Sequence, residues 1–240
     1  MTTRTCSGSG QLTRVALREI RETAFRALVA VGASTGQADT ASGQVLDAEL
    51  HHGAGLRGLL DDLRLGPWRD EVVPVHDDVT ELVVGADTAT GLLRVGVHLV
   101  ELASARPTSR PTISAAPLPL DPLLDDLLMQ AAVQIGSPVC AATSLNKQRT
   151  VRVATPQGDL AWGDLAWGDP GLIVGPVPHA PTGRLTAFVA PVVDRTVGQW
   201  QLRESRDRHR CTAAQEGLHV DSAQWEAAYE AARAYLVPDA

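Results

Sequence analysis

From Arg14 to Leu63 the sequence carries three successive helical patterns, each with one narrow apolar stripe. Such helices cannot bury their stripes singly, so they must pack on one another or on elements supplied later in the chain. In the first pattern Leu17, Ile20, Ala24, Leu28 and Val31 recur at helical spacing between charged residues. The segment GASTGQAD then breaks that helix and starts the next. Ser34 caps the new N-terminus while Gln37 reaches back to it. Ala38, Ala41, Val45 and Ala48 form a stripe of small residues suited to close helix packing. Gly53 and Gly55 end this helix, since glycine takes the left-handed conformation without steric cost. Leu56, Leu59, Leu60 and Leu63 make a short third helix, stopped by Gly66-Pro67.

The middle changes character. EVVPV, ELVVG and LLRVGVHLVEL read as strands, the last alternating Leu93, Val95, Val97 and Leu99 on one face. A proline-rich linker spans residues 103–122. Asp121 caps and Pro122 opens a helix bearing Leu124, Leu127, Leu128 and Ala131. After Gly136 come further strands, PVCAAT, TVRVAT, GLIVGPV, LTAFVAPVV and WQL, with the mixed-charge run 203–210 read as a solvated loop or edge strand. A last helix runs from Asp221 to Leu236, with Trp225, Ala228, Ala232 and Leu236 on one side and Pro238 as its stop. Residues 1–12, small and polar, form a flexible tail. Residues 13–240 make one α/β domain: a helical part over 13–66, a mixed α/β core over 67–220 and a closing helix over 221–236. At 240 residues and 44% hydrophobic, the chain can bury a substantial core.

One duplication stands out: GDLAW occurs twice within residues 158–167. It reads as a bulge, loop or hairpin insertion. The alternative is that Trp162 and Trp167 form an aromatic wall over a ligand, because tryptophan joins large area to a hydrogen-bonding tip.

The net charge of −7 and pI near 5.4 argue against nucleic-acid binding, which draws on clustered Lys and Arg; Lys147 is the sole lysine. Cys6, Cys140 and Cys211 show neither disulfide nor zinc spacing. The N-terminus lacks the apolar centre of a signal peptide, and no run approaches the roughly 20 apolar residues of a membrane span. The expectation is a soluble protein of the reducing cytoplasm, with no membrane partner.

Candidate chemistry centres on HHGAG, residues 51–55. His76, His98, His179 and His209 each sit among residues that suit surface or structural histidines, and no pair has metal-ligand spacing. No bound metal is expected. No P-loop, no G-x-S-x-G elbow and no strand-led G-x-G-x-x-G is present. His51 and His52 differ by position. They end a helix beside two glycines that let backbone and ligand approach closely, and an imidazole there can act as acid, base or hydrogen-bond donor. Arg57, about one turn on, can take a substrate carboxylate through a two-pronged contact. The plainer reading is two histidines at the negative end of a helix dipole.

The stretch AFRALVAVGASTGQADTASGQVLDAELHHGAGLRGLLDDL resembles the N-terminus of the type 2 malate/L-lactate dehydrogenase family, where two helices lead to a Ser-His-Gly turn, an Arg-Leu pair and another helix. His52-Gly53 match the His-Gly, and His51 stands where the family has serine. The end of the chain, GLHVDSAQWEAAYEAARAYLVPDA, resembles the close of a short, divergent branch of that superfamily. The likeness covers about the first 65 and last 25 residues, and the middle in element order. It implies a non-Rossmann α/β fold in which N-terminal helices and a C-terminal helix pack on a mixed-sheet core. It further implies a homodimer, to which the small-residue stripe would contribute. The implied activity is NAD(P)-dependent oxidoreduction of a small 2-oxo or cyclic imino acid, with His52 catalytic and Arg57 and His51 binding substrate. Two departures are visible. The Arg-Leu pair is inverted to Leu56-Arg57, and the family's second histidine has no counterpart in ISAAPLPLDP. A non-redox enzyme on the same scaffold, such as a tautomerase or cyclase, and a noncatalytic homologue that binds a ligand or partner therefore remain open beside the oxidoreductase.

Overall fold

The computed structural model describes residues 11–68, 73–78, 80–85, 91–105, 111–145, 148–165, 173–174, 183–190, 192–194 and 198–236. In chain order these give β1 (Leu12–Val15), α1 (Leu17–Ala30), α2 (Thr35–His52), α3 (Gly55–Leu63), β2 (Val73–Asp77) and β3 (Leu82–Gly85). Next come α4 (Leu92–Ser104), β4 (Thr112–Pro117), a 3-10 turn at Pro122–Leu124, α5 (Asp125–Ile135), β5 (Val139–Leu145), β6 (Gln148–Ala154) and β7 (Leu160–Leu165). The chain continues through β8 (Ile173–Val174), β9 (Arg184–Val189), β10 (Val192–Val193), β11 (Gln199–Gln201), α6 (Arg203–Glu216), β12 (Leu218–Asp221) and α7 (Ser222–Arg233).

The helix ends form as their residues dictate. The Ser34 hydroxyl accepts from the Gln37 amide, and the Ser34 amide donates to the Gln37 side chain at 2.9 Å. Gly53 closes α2 in the left-handed region at φ 60°, as its position after the last turn requires. Gly55 answers a different need. A Cβ there would lie 1.9 Å from the Val45 carbonyl oxygen, so α3 can leave α2 at this angle only from a glycine. Glu49, buried on α2, accepts from the Leu56 amide at 2.9 Å and so caps α3 from outside. Asp121 caps the 3-10 turn before α5, and Asp221 caps α7.

The small-residue stripe of α2 is wholly buried within the chain, where α2 packs on α1. That use removes it as an argument for a second copy. The closing helix α7 packs on α1 and α3, and β1 pairs antiparallel with β12, Leu12 opposite Asp221 through Val15 opposite Leu218. The two ends of the chain thus share one helical layer, as their apolar stripes demand. The N-terminal pattern starts later than its periodicity suggests, because residues 12–15 are drawn into this ladder as a strand. The expected tail gives way to β1 at Leu12, and residues 1–10 lie outside the described ones.

An eight-stranded mixed sheet in the order β11-β7-β6-β5-β9-β4-β3-β2 carries α4 and α5 on one face. Alternation along β5 sends Val139 and Ala141 into the helix-side core, and Cys140 and Ala142 into a second cluster with Val151, Val153 and Phe188. Residues 92–102, expected as a strand, lie in the helix α4. Their apolar residues satisfy period 2 and period 3.6 alike, and Leu92, Leu93, Val95, Leu99, Val100 and Ala103 are all buried. Topology decides the matter. β3 and β4 are parallel neighbours, and a parallel pair needs a crossover, normally a helix. Residues 203–210, expected as a loop or edge strand, form the first turns of α6. The first GDLAW copy sits in the β6–β7 hairpin, Gly158 and Asp159 in its turn and Leu160–Trp162 in β7, which pairs with β6 and β11, while Trp167 lies outside the described residues.

Candidate functional site

Adjacent residues of a helix project about 100° apart, and the C-terminal turn of α2 uses this to serve two places. His52 turns toward the sheet. Its Nε2 lies 2.9 Å from Oδ2 of Asp125, close enough for an ion pair but out of line for a hydrogen bond. Asp125, the first residue of α5, is fully buried. Arg152 of β6 donates from Nη1 to both its oxygens, at 2.7 and 2.6 Å. The Trp162 ring stands edge-on to the His52 ring at 5.7 Å and under the Arg152 guanidinium at 5.8 Å, and its Nε1 donates to the Gln199 side chain. A carboxylate this deep is tolerated only with such partners. His52 keeps 16% of its side chain exposed, and that edge is what a small molecule would meet.

His51 turns the other way, against α6. Its side chain is 1% exposed, its Nε2 lies 3.6 Å from Asp47 one turn earlier, and its ring meets that of His209 edge-to-face at 5.5 Å. Asp47, 2% exposed, accepts from Arg206 at 2.5 Å and from Arg210 at 3.2 Å, and Arg206 also donates to Gln201. Burial, then the Arg206 charge, holds the His51 pKa down to about 4 against an ordinary 6.5. The ring is therefore neutral at pH 7, with Nδ1 unpartnered. Beside it opens a cavity of about 470 Å³ between α2, α5 and α6.

The sequence-predicted residues are thus only partly brought together. Of the described cavities, one lies beside His51, lined by that ring with Asp47 and the facing sides of α5 and α6. Arg57 is exposed on α3 and lines none of the described cavities around the histidines. The partners that give each histidine its character carry no local sequence signal, since Asp125, Arg152 and Arg206 lie 73 to 155 residues away. One local signal was readable. Asp47 is an acid i−4 to His51 in an otherwise small apolar stripe, where a charge needs a reason. His76, on β2, contacts Asp78, and His98 lies on α4 rather than on a strand face. Among the described residues no group of three or more His, Cys, Asp or Glu side chains is disposed to hold a metal, and no helix is long and apolar enough to cross a membrane. Cys140 is buried and Cys211 exposed, both free thiols.

No family model matches the sequence, and no curated protein does. Solved structures do match. Malate dehydrogenase from Pyrococcus horikoshii superposes with a TM-score of 0.64 at 11% identity, covering 98% of this chain and 99% of that one. The fold is malate/lactate dehydrogenase-like. Sulfolactate dehydrogenase from Methanocaldococcus jannaschii gives 0.61 at 11% identity over 94% and 98% of the two chains. Delta1-piperideine-2-carboxylate reductase from Pseudomonas syringae gives 0.51 at 15%, over 91% and 99%. On this malate/lactate dehydrogenase-like scaffold the C-terminal turn of α2, the start of α5 and strands β6 and β7 converge on His52.

A nicotinamide dinucleotide asks two things of such a site. The reacting ring needs an aromatic or apolar surface, and the Trp162–His52 corner offers one. The phosphates need free main-chain amides or cations, and the described residues near His52 offer neither. Asp125 and Asp126 fill the first turn of α5, where they oppose an anion, and Arg152 is committed to Asp125. The corner fits the reacting end of the cofactor, and the phosphate end finds no cradle among the described residues.

Proposed function

We propose that this protein is a divergent oxidoreductase of the malate/lactate dehydrogenase-like superfamily, acting on a small 2-oxo or cyclic imino acid with NAD(P). The observation that carries the reading is the His52–Asp125–Arg152 cluster. Asp125, itself fixed by Arg152, holds the His52 ring in one orientation from 2.9 Å, as a group that passes a proton to a carbonyl or imine needs. NAD(P) would supply hydride. The chain's own part is to present the His52 proton at an exposed edge, with Trp162 shielding the buried pair from water. His52 also stands at the family's histidine position, in a segment whose resemblance implies this chemistry.

The test is oxidation of NADH and NADPH by the purified chain against a panel of 2-oxo acids and cyclic imino acids. Turnover is expected, and His52→Gln and Asp125→Asn should each lower it by about 10² to 10⁴. Activity retained in His52→Gln removes the histidine from the chemistry. A noncatalytic, ligand-binding homologue is the second reading, favoured by the cavity beside His51. Wild-type inertness across the panel with both cofactors, together with saturable binding of a small molecule, would select it.

A further inference from the structure

The cavity beside His51 carries two unmatched charges of opposite sign. Asp47 is one carboxylate facing two guanidinium groups, so one positive charge is surplus. It resides at Arg210, whose side chain is 51% exposed and which spends one donor on Asp47. Arg203 adds nothing to that surplus, since Asp207 pairs with it at 3.6 Å. The unmatched negative charge is Asp126. Its Oδ2 accepts from Gln130 at 2.8 Å, and no described cation lies within ion-pair distance of it. Burial, then the neighbouring Asp47, push its carboxyl up, against the smaller opposing effects of Gln130, Arg210 and Arg206, none of the cations close enough to form an ion pair with it. Between these ends Met129 and Val133, one turn apart on α5, line the cavity; Val133 is 53% exposed, an apolar surface left open. At the floor sits the buried, neutral His51 ring with its unpartnered Nδ1, a polar group that natural interiors rarely leave unsatisfied.

We propose that this cavity is a second ligand site, separate from the His52 cluster, and that it takes a small zwitterion: an α-amino acid with an apolar side chain. The carboxylate meets Arg210, the ammonium meets Asp126, and the side chain covers Met129 and Val133 above the buried His51 ring. One unmatched charge would draw a simple anion or a simple amine; two of opposite sign in one cavity select a molecule that carries both. The volume, about 470 Å³, is in the range of small-molecule sites. The site stands independently of the oxidoreductase reading, because none of its residues belongs to the His52 cluster.

Titration calorimetry of the full chain tests it with L-leucine and its two half-molecules, 4-methylpentanoate and 3-methylbutylamine. Leucine is expected to bind at least about tenfold tighter than either half, as expected of a charge-assisted contact at each end. Arg210→Gln should reduce leucine binding to the level of the amine, and Asp126→Asn to the level of the acid. His52→Gln should leave leucine binding unchanged. No saturable leucine binding by the wild type, equal binding of leucine and one half-molecule, or loss of binding in His52→Gln would each overturn the proposal. The last outcome would move the amino acid to the His52 cluster.

Discussion

The two sides of the α2 terminus start from the same materials, a histidine, a buried aspartate and an arginine, and arrive at different ends. On the His52 side Arg152 comes from the sheet and places one nitrogen on both oxygens of Asp125, and Trp162 covers the group. On the His51 side the arginines come from α6, a polar helix whose buried residues are Arg206 and Ala213. There Asp47 is shared, Arg210 is half in water and a ring nitrogen is left over. The sheet side spends its charges internally, and the α6 side has charges to spare. Burial of an ion pair says little about binding; the remainder after pairing says more.

If the sheet side is closed, removing its centre should cost most. Asp125→Ala strands Arg152, and denaturant unfolding should show a loss of about 3–5 kcal/mol. A loss under about 1 kcal/mol would mean that water already reaches the cluster. Asp47→Asn should cost somewhat less, about 3 kcal/mol, because Arg206 keeps Gln201 and Arg210 can turn to solvent. Equal losses would erase the distinction between the two sides.

The turn between them provides the next test. Gly55→Ala sets a methyl group against the Val45 carbonyl and should cost about 2 kcal/mol while the histidine sites stay formed. Thermal unfolding together with leucine titration checks both halves of that statement.

The His51 environment also predicts a pH dependence. Folded His51 stays neutral down to about pH 4, whereas the unfolded chain takes up that proton near 6.5. Between these values the unfolded state binds more protons, so the His51 contribution to stability is lost as pH falls from 6.5 toward 4. Glu49, Asp62 and Asp126, with raised carboxyl pKa values, act in the opposite sense, taking protons in the folded state first. The stability difference between wild type and His51→Gln isolates the histidine. That difference should fall on acidification through this window; a flat difference would mean that the ring is not desolvated. The smallest effect belongs to Arg57→Ala, expected within about 0.5 kcal/mol because the side chain is exposed. A several-fold rise in KM for a carboxylate substrate in this variant would restore the role that the family resemblance implies.

What the sequence made legible was local. Ser34 with Gln37, Gly53 and Asp121-Pro122 each fix a helix end through groups within a few residues, and all three ends form as read. The need of the N-terminal and C-terminal stripes for each other was readable for the same reason, since an exposed stripe demands a partner. What failed was decided at a distance. The segment 92–102 satisfies two periodicities, and the parallel pairing of β3 with β4 selects the helix. The segment 203–210 is too charged to look packed, and α6 docks through Arg206 on Asp47, 159 residues away. At the candidate site His52 was identified by position, but Asp125, Arg152 and Trp162 come to it from three other elements whose order of approach no spacing rule encodes.

The β1–β12 ladder has a consequence for how the molecule is made. Strand β1 is made well before its partner, which lies some 200 residues downstream, and α7, which covers α1 and α3, follows that partner. The N-terminal layer therefore waits, with one side of its apolar stripes uncovered, until β12 and α7 have been made. At elongation rates of roughly 5–20 residues per second that interval is about 10–40 seconds, during which folding of the sheet can proceed while folding of the helical layer cannot close. A chain cut short before Leu218 would keep every residue of both histidine sites and still lack the strand and helix that seal α1.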